Sequence, residues 1–273
     1  MKISIIGSGN VGWHLGIAFE NHHHPVCEVF SRNIKKAEKL SEMLYKAEAK
    51  TDLDFSESEA ELFILSVADD AMEDVCSKLI LPENAILAHT SGSKSLDDLQ
   101  KLMLIYHDLP VKCAVFYPLM TFSAGKRLDL KSVPFCIEAV DEETEQILVD
   151  IAQEMSDTVY LLSSEERKIL HVTAVFACNF TNHLLALSKS ITDNENLEFD
   201  LLKPIISETF KKALAANDPA DVQTGPAIRN DKTIINRHLD YLKDDARLLE
   251  IYEVLTESIQ NMSTIRRRQS TEF

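Results

Sequence analysis

The sequence predicts an α/β fold, a doubly wound sheet over residues 1–162, followed by an all-α domain over residues 163–273. Three observations carry that prediction. Short apolar runs alternate with stretches of helical periodicity through the first part, as strands do when crossover helices join them into a parallel sheet. Past residue 162 the strand-like runs stop and helical periodicity alone remains. The chain also opens on an apolar run that breaks into three glycines, Gly7-Ser8-Gly9-Asn10-Val11-Gly12, at the spacing of a strand-to-helix turn.

The elements follow in order. Residues 3–6 form the first strand, and Val11, Leu15, Ala18 and Phe19 recur at helical spacing after it. Residues 26–30 form a second strand that ends in Ser31-Arg32-Asn33. Asn33 can cap a helix through Ile34, Ala37, Leu40, Met43 and Leu44. A weak strand near residues 47–51 precedes residues 62–67, a continuous apolar run of the kind buried in a parallel sheet. Ala68-Asp69-Asp70 ends it and opens a helix through Met72, Val75 and Leu79. Residues 85–88 close on His89-Thr90-Ser91-Gly92-Ser93, with Leu96, Leu99 and Leu102 marking a helix beyond. Strands are predicted at 113–116, 133–138 and 158–162, and a helix at 144–155. Ser163 or Ser164 then caps a helix that is apolar nearly all round from 169 to 191, the pattern of a centrally buried helix. Helices at 197–215 and 247–265 complete the chain.

The glycine spacing makes the first part a Rossmann-type unit for a dinucleotide. Gly7 permits the tight turn, Gly9 lets the backbone approach a pyrophosphate, and Gly12 lets the helix pack close to the sheet. Ser8, Asn10 and Val11 complete the loop whose N–H groups would receive the phosphates. The end of the second strand selects the cofactor. A site for NAD would place a carboxylate there to accept from the ribose 2′-hydroxyl. This chain has Ser31, Arg32 and Asn33 instead, and a guanidinium forms charge-assisted contacts with a 2′-phosphate. The expected cofactor is therefore NADP(H).

A formal net charge of −16 disfavours nonspecific nucleic-acid binding, because phosphates are repelled. Arg266-Arg267-Arg268 reads as a solvated, frayed terminus. Five scattered cysteines without paired spacing fit buried, reduced thiols in a cytoplasmic protein. Lys2 leads straight into the first strand, so no signal peptide is expected, and no apolar run approaches the ~18 residues of a membrane span. His22-His23-His24 point in different directions with no other ligand at suitable spacing, so no metal site is expected.

In an open parallel sheet, ligands bind beyond the carboxyl ends of the strands. Val67-Ala68-Asp69 and His89-Thr90-Ser91-Gly92 stand there and are expected at the nicotinamide end. His89 could act as general acid or base, or be a structural histidine bonded to its loop. Tyr117 could donate from its phenol to a substrate, or pack. In the long helix Asn179, Asn182 and His183 fall at i, i+3 and i+4 and so share a face. Amides there need partners, which a substrate in an interdomain cleft or neighbouring helices could supply. Thr224-Gly225-Pro226-Ala227-Ile228-Arg229-Asn230-Asp231 is a turn able to aim Arg229 at a carboxylate or phosphate, or to lock it in a pair with Asp231.

Together these residues resemble a family of NADP oxidoreductases in which an N-terminal Rossmann domain is followed by a helical domain of unknown function. The resemblance covers essentially the whole chain. It rests on residues 7–12, His89-Thr90-Ser91-Gly92-Ser93, Tyr117-Pro118-Leu119, Asn179 and the octapeptide ending in Asp231. More distantly, the layout is similar to pyrroline-5-carboxylate reductase and the β-hydroxyacid dehydrogenases, which implies a helical domain that supplies a dimer interface and substrate-binding residues. Two departures stand out. Tyr117 replaces the histidine of the family's His-Pro-Leu turn, and no lysine lies between Lys168 and Lys189, where β-hydroxyacid dehydrogenases carry a general acid.

The expectation is an NADPH-dependent reductase of a small carbonyl or imine substrate. His89, Asn179 and Asn182 would take part in catalysis, and Tyr117, His183, Arg229 and Asp231 would surround the substrate. A homodimer through the helical domain is expected, since that helix set is too apolar to stand alone in water. The alternative is an NADP(H)-binding sensor or regulatory protein that never turns over. It would keep residues 7–12 and Arg32 and need no proton donor.

Overall fold

The computed structural model describes residues 1–123, 125 and 128–270, with side chains in the last helix described as far as Arg266. Eight strands form one sheet: β1 (Ile3–Ile6), β2 (Val26–Phe30), β3 (Glu48–Lys50), β4 (Leu62–Leu65), β5 (Ile86–His89), β6 (Lys112–Pro118), β7 (Phe135–Ala139) and β8 (Val159–Leu161). Their spatial order is β3-β2-β1-β4-β5-β6-β7-β8. Neighbours run parallel except β6 and β7, which are antiparallel. The chain winds outward one way from β1 and the other way from β4, so the carboxyl ends of these two strands flank the switch point where such sheets bind ligands. The doubly wound α/β prediction therefore holds.

The strand pattern explains the layering. Alternate strand residues point to opposite faces. Ile3 and Ile5 of β1 and Leu62 and Ile64 of β4 enter one hydrophobic cluster with Leu15, Phe19, Phe116 and Leu148. Ile6, Phe63 and Leu65 enter a second cluster with Val75, Leu99 and Val115. Helices cover both faces: α1 (Asn10–Asn21), α2 (Ile34–Ser41), α3 (Met72–Cys76), α4 (Leu96–Tyr106) and α5 (Glu142–Met155). Local chemistry starts them where expected. The Asn33 side chain accepts from the Lys35 N–H at 3.1 Å, and Ser95 with Asp98 forms a capping box on α4.

Beyond β8, a capping box of Ser163 and Glu166 opens α6 (Ser164–Ala174). The helix widens into a π segment (Val175–Phe180) and continues as α7 (Thr181–Asn194). Then come α8 (Lys203–Ala215), α9 (Pro226–Arg229), α10 (Lys232–Leu242) and α11 (Ala246–Ser270). The chain divides into two compact units, residues 1–179 and the remainder from Phe180 onward. The expected boundary after residue 162 lies within the first unit, at the entry to α6.

Four expectations need correction. The long apolar helix is not buried within this chain: no residue of its most apolar 18-residue window (mean hydropathy 1.3) is fully buried, and many are exposed. By length and composition alone, residues 164–194 suffice to cross a membrane, because short polar interruptions lower the hydropathy less than the surrounding Leu, Val and Phe raise it. Helix α10 was not foreseen, although Asp231 caps it by accepting from the Ile234 N–H at 3.2 Å, and Ile234, Ile235, Leu239 and Leu242 mark one face. Arg266 does not fray: it stands on α11 and pairs with Asp218 at 2.7 Å and with Asp221, while the side chains of Arg267 and Arg268 lie outside the described residues. Cys76, Cys113 and Cys136 are buried, but Cys178, on the uncovered long helix, is exposed.

Candidate functional site

A cavity of about 170 Å³ opens at the switch point. It is lined by Gly7, Ser8 and Gly9 from the first turn, by Ser31, Arg32 and Lys36 beyond β2, and by Val67 and Ala68 beyond β4. Two glycines are dictated by the protein itself. Gly7 has φ +113°, and a Cβ there would strike the Ser66 carbonyl; a Cβ on Gly12 would strike the Gly7 carbonyl and lie 2.5 Å from Ser66 Oγ. Gly9 differs. The nearest atom to a Cβ on Gly9 is Ser66 O at 4.0 Å, so what the missing side chain leaves open is room for a ligand.

The polar groups around that room fit a pyrophosphate. No side chain caps the amino end of α1 at Gly9, so the first N–H groups remain available to an anion. Ser8 Oγ is buried without a hydrogen-bond partner, an orphan that a phosphate oxygen would satisfy. The side chains of Asn10 and Val11 are turned elsewhere: Asn10 Nδ2 donates to the Phe122 carbonyl at 3.0 Å and Val11 packs on the core.

The end of the cavity beyond β2 is cationic. No carboxylate lines the cavity, and among the described residues neither Arg32 nor Lys36 is engaged in an ion pair. Asn33 is occupied as the cap of α2, and Ser31 Oγ accepts from the Asn33 N–H at 3.3 Å. Lys36 was missed by sequence reasoning. Its signal was the Lys35-Lys36 pair in the first turn after the cap, which places Lys36 at i+4 from Arg32.

Beyond β5 the loop is self-bonded. Ser91 Oγ accepts from the N–H groups of Ser93 at 3.1 Å and Lys94 at 3.0 Å. Asp69 accepts from the Ser93 hydroxyl, tying this loop to the one after β4, and the Thr90 N–H donates to Leu65 O at 3.1 Å. The Ser91 N–H donates to His89 Nδ1 at 3.1 Å, which puts the imidazole proton on Nε2, where it has no partner. His89 is 0% exposed. Burial, reinforced by Arg167, pushes its pKa from 6.5 to about 4, so His89 is neutral at pH 7 and shut off from solvent.

Tyr117 and Gly92 meet His171 of α6. Tyr117 Oη lies 3.2 Å from His171 Nδ1. Gly92 is buried against both: a Cβ there would sit 2.6 Å from His171 Nδ1 and 2.9 Å from Tyr117 Cζ. Burial raises the Tyr117 phenol to about 12. One turn earlier on α6, Arg167 is fully buried. It donates to Glu138 Oε2, to Lys94 O at 2.6 Å and to Ser164 Oγ at 3.2 Å, fastening α6 to β7 and to the loop after β5.

The remaining candidates lie apart from this set in sequence and role. Asn179 is exposed within the π segment. Asn182 and His183 are exposed on α7. In the second unit, Arg229 ends α9 and is exposed, and Asp231 is the α10 cap. No ion pair joins Arg229 to Asp231.

Residues 2–91 match a family model described as NADP oxidoreductase, coenzyme F420-dependent, and residues 133–259 match a domain of unknown function, DUF2520. A Bacteroides fragilis protein named as an NADP oxidoreductase is 37% identical, covering 95% of this chain and 98% of its own, with a TM-score of 0.85. A reductive aminase of Aspergillus terreus, crystallised with NADPH and ethyl levulinate, shares 13% identity over 94% of this chain and 92% of its own, at a TM-score of 0.68. An imine reductase of Streptomyces aurantiacus shares 14% over 98% and 99%, at 0.61. These last two show likeness of fold. No curated protein matches the sequence.

Proposed function

The chain belongs to the family of NADP oxidoreductases in which a Rossmann domain precedes DUF2520, and from that premise we propose that it reduces a small carbonyl or imine compound with NADPH. The observation that carries the cofactor half is the cavity at the switch point. It joins an uncapped helix start and an orphan serine hydroxyl to two free cations, with no carboxylate among its lining residues. Residues 7–12 hold the pyrophosphate through backbone N–H groups, Arg32 and Lys36 hold the 2′-phosphate, and Val67, Ala68 and the loop from His89 to Gly92 face the nicotinamide end. The substrate half draws on the reductive aminase and imine reductase of like fold.

Calorimetric titration with NADPH and NADH tests the first half: NADPH is expected to bind at least ~10-fold more tightly, and equal affinities overturn it. Following NADPH absorbance with ethyl levulinate, alone and with an amine, and with coenzyme F420 tests the second. A second reading, an NADP(H)-binding sensor without turnover, draws support from the buried, neutral His89. Tight NADPH binding with no oxidation by any of these acceptors selects it.

We propose further that a second copy of the chain covers the apolar helices of the second unit. Among its described residues only Ala227 and Ile235 are buried apolar groups, whereas Leu201 is 72% and Leu214 85% exposed. Ion pairs Lys203–Asp200 at 2.7 Å and Lys212–Glu208 at 3.3 Å run alongside them, an amphipathic pattern suited to a protein partner with a polar rim. Sedimentation at micromolar concentration is expected to give a dimer mass; a monomer sinks the proposal.

A further inference from the structure

Resting on that reading and deepening it, we propose that Tyr117 is the proton donor of the reduction, with His171 as the positioning residue that holds its hydroxyl and replaces its proton. Three elements converge to build the pair. Tyr117 lies on β6 two residues past Val115, the register partner of His89, so it reaches beyond the end of β5, where an open sheet takes its ligand. His171 is brought in by α6, and Arg167, four residues earlier on the same face, pins that face through Glu138 and Lys94. Gly92 supplies the clearance. Any side chain there would collide with the His171 ring, so the loop that faces the nicotinamide end is also the loop shaped to admit this pair.

The alternatives nearby are worse donors. His89 is sealed from solvent, with its Nδ1 committed to the Ser91 N–H. Asp69 is bound to the Ser93 hydroxyl. Tyr117 is only partly covered, and with its phenol raised to about 12 it is protonated at every physiological pH. The same burial makes a bare phenolate costly, which is why a proton must follow from His171.

When bound, the dihydronicotinamide supplies the hydride to the substrate carbon. The π electrons of the C=O or C=N bond then move to the heteroatom, which forms a bond to the Tyr117 proton. As the Tyr117 O–H breaks, the proton on His171 Nδ1 passes to Tyr117 Oη while Nε2 takes up a proton from solvent, so each turnover consumes one hydride and one proton.

The test compares wild type, Tyr117→Phe and Tyr117→His, each checked for unchanged thermal unfolding, in three measurements. Calorimetry with NADPH is expected to give the same affinity, within about twofold, for all three, as for a residue that does not hold the cofactor. Turnover of ethyl levulinate, alone and with an amine, is expected to lose ~100-fold or more in kcat in Tyr117→Phe with KM little changed, and to recover in Tyr117→His, which restores a donor. Nitrogen NMR of the His171 ring is expected to move on Tyr117→Phe in the cofactor-free protein, and on addition of NADPH to wild type. A Tyr117→Phe variant that keeps kcat within about threefold overturns this inference alone. So does NADPH that binds while the His171 signals stay fixed. Failure of wild type to bind NADPH, or to oxidise it with any probe, overturns the reductase reading, and the inference falls with it.

Discussion

The two units of this chain use their apolar residues differently. In the first, the strands alternate between two clusters, and Ile3, Ile5, Phe63, Leu65 and Phe116 are all buried by the chain's own helices. In the second, helices of comparable apolar content leave Leu201, Ile205, Leu214 and Met262 in the open. A doubly wound sheet offers two broad faces, and five crossover helices close them within one chain. A set of helices without a sheet has only its own stripes to pack, and here that packing leaves much of their apolar surface open. The first unit therefore covers its own apolar residues, while the second leaves an apolar face that the proposed dimer would cover.

The largest expected effect would come from charging that surface. Leu201→Glu with Ile205→Glu would bury two carboxylates in a dimer, at a cost on the order of 5 kcal/mol or more. Sedimentation is expected to show monomers at concentrations where wild type is dimeric, with NADPH affinity unchanged in calorimetry. A variant that still forms dimers would show that Leu201 and Ile205 are not in the contact.

Next in size is the internal ion pair of the first unit. Glu138→Ala would strand the fully buried Arg167 guanidinium, and breaking a buried pair by removing one partner costs ~3–5 kcal/mol. Urea unfolding is expected to show that loss in the first unit. A loss under about 1 kcal/mol would mean that water enters to solvate Arg167, as it would at the surface.

A smaller effect comes from pH. His89 titrates near 6.5 in the unfolded chain and at about 4 when folded. Between those values the unfolded state binds more protons, so stability is complete above the upper value and falls as pH drops through the window, by at most ~1.4 kcal/mol per pH unit. Wild type is expected to lose on the order of 2 kcal/mol more than His89→Asn between pH 7 and pH 5. Parallel losses in both proteins would show that His89 is solvated in the folded state.

The same contrast governs what the sequence revealed. Strand positions, the glycine turn and the place of Ser31 and Arg32 just past the second strand were legible because each follows from local periodicity or backbone sterics. Gly7 and Gly12 are imposed by Ser66, which is distant in sequence, but the motif spacing already encodes that contact. His171 was not legible as a site residue. Nothing in a helix marks which polar interruption faces Tyr117, since their pairing depends on how α6 docks against β6 and the Gly92 loop. The π segment was not legible for a local reason, because it cannot be told from α spacing by apolar periodicity. The exposed long helix failed because an all-round apolar pattern states that a helix will be covered, without stating by which chain.

The smallest effect sharpens the comparison most directly. Arg32→Ala and Lys36→Ala each remove one cation from a cavity in the self-sufficient unit, and a solvent-facing charge-assisted contact to a phosphate is worth ~1–2 kcal/mol, about 5- to 30-fold in affinity. NADPH binding is expected to weaken by that amount for Arg32→Ala and by less for Lys36→Ala, with NADH binding and dimer mass unchanged in both. If NADH weakens equally, the two cations hold the pyrophosphate or the adenine rather than the 2′-phosphate. If dimer mass changes as well, the two units are coupled and cannot be treated as independent bodies.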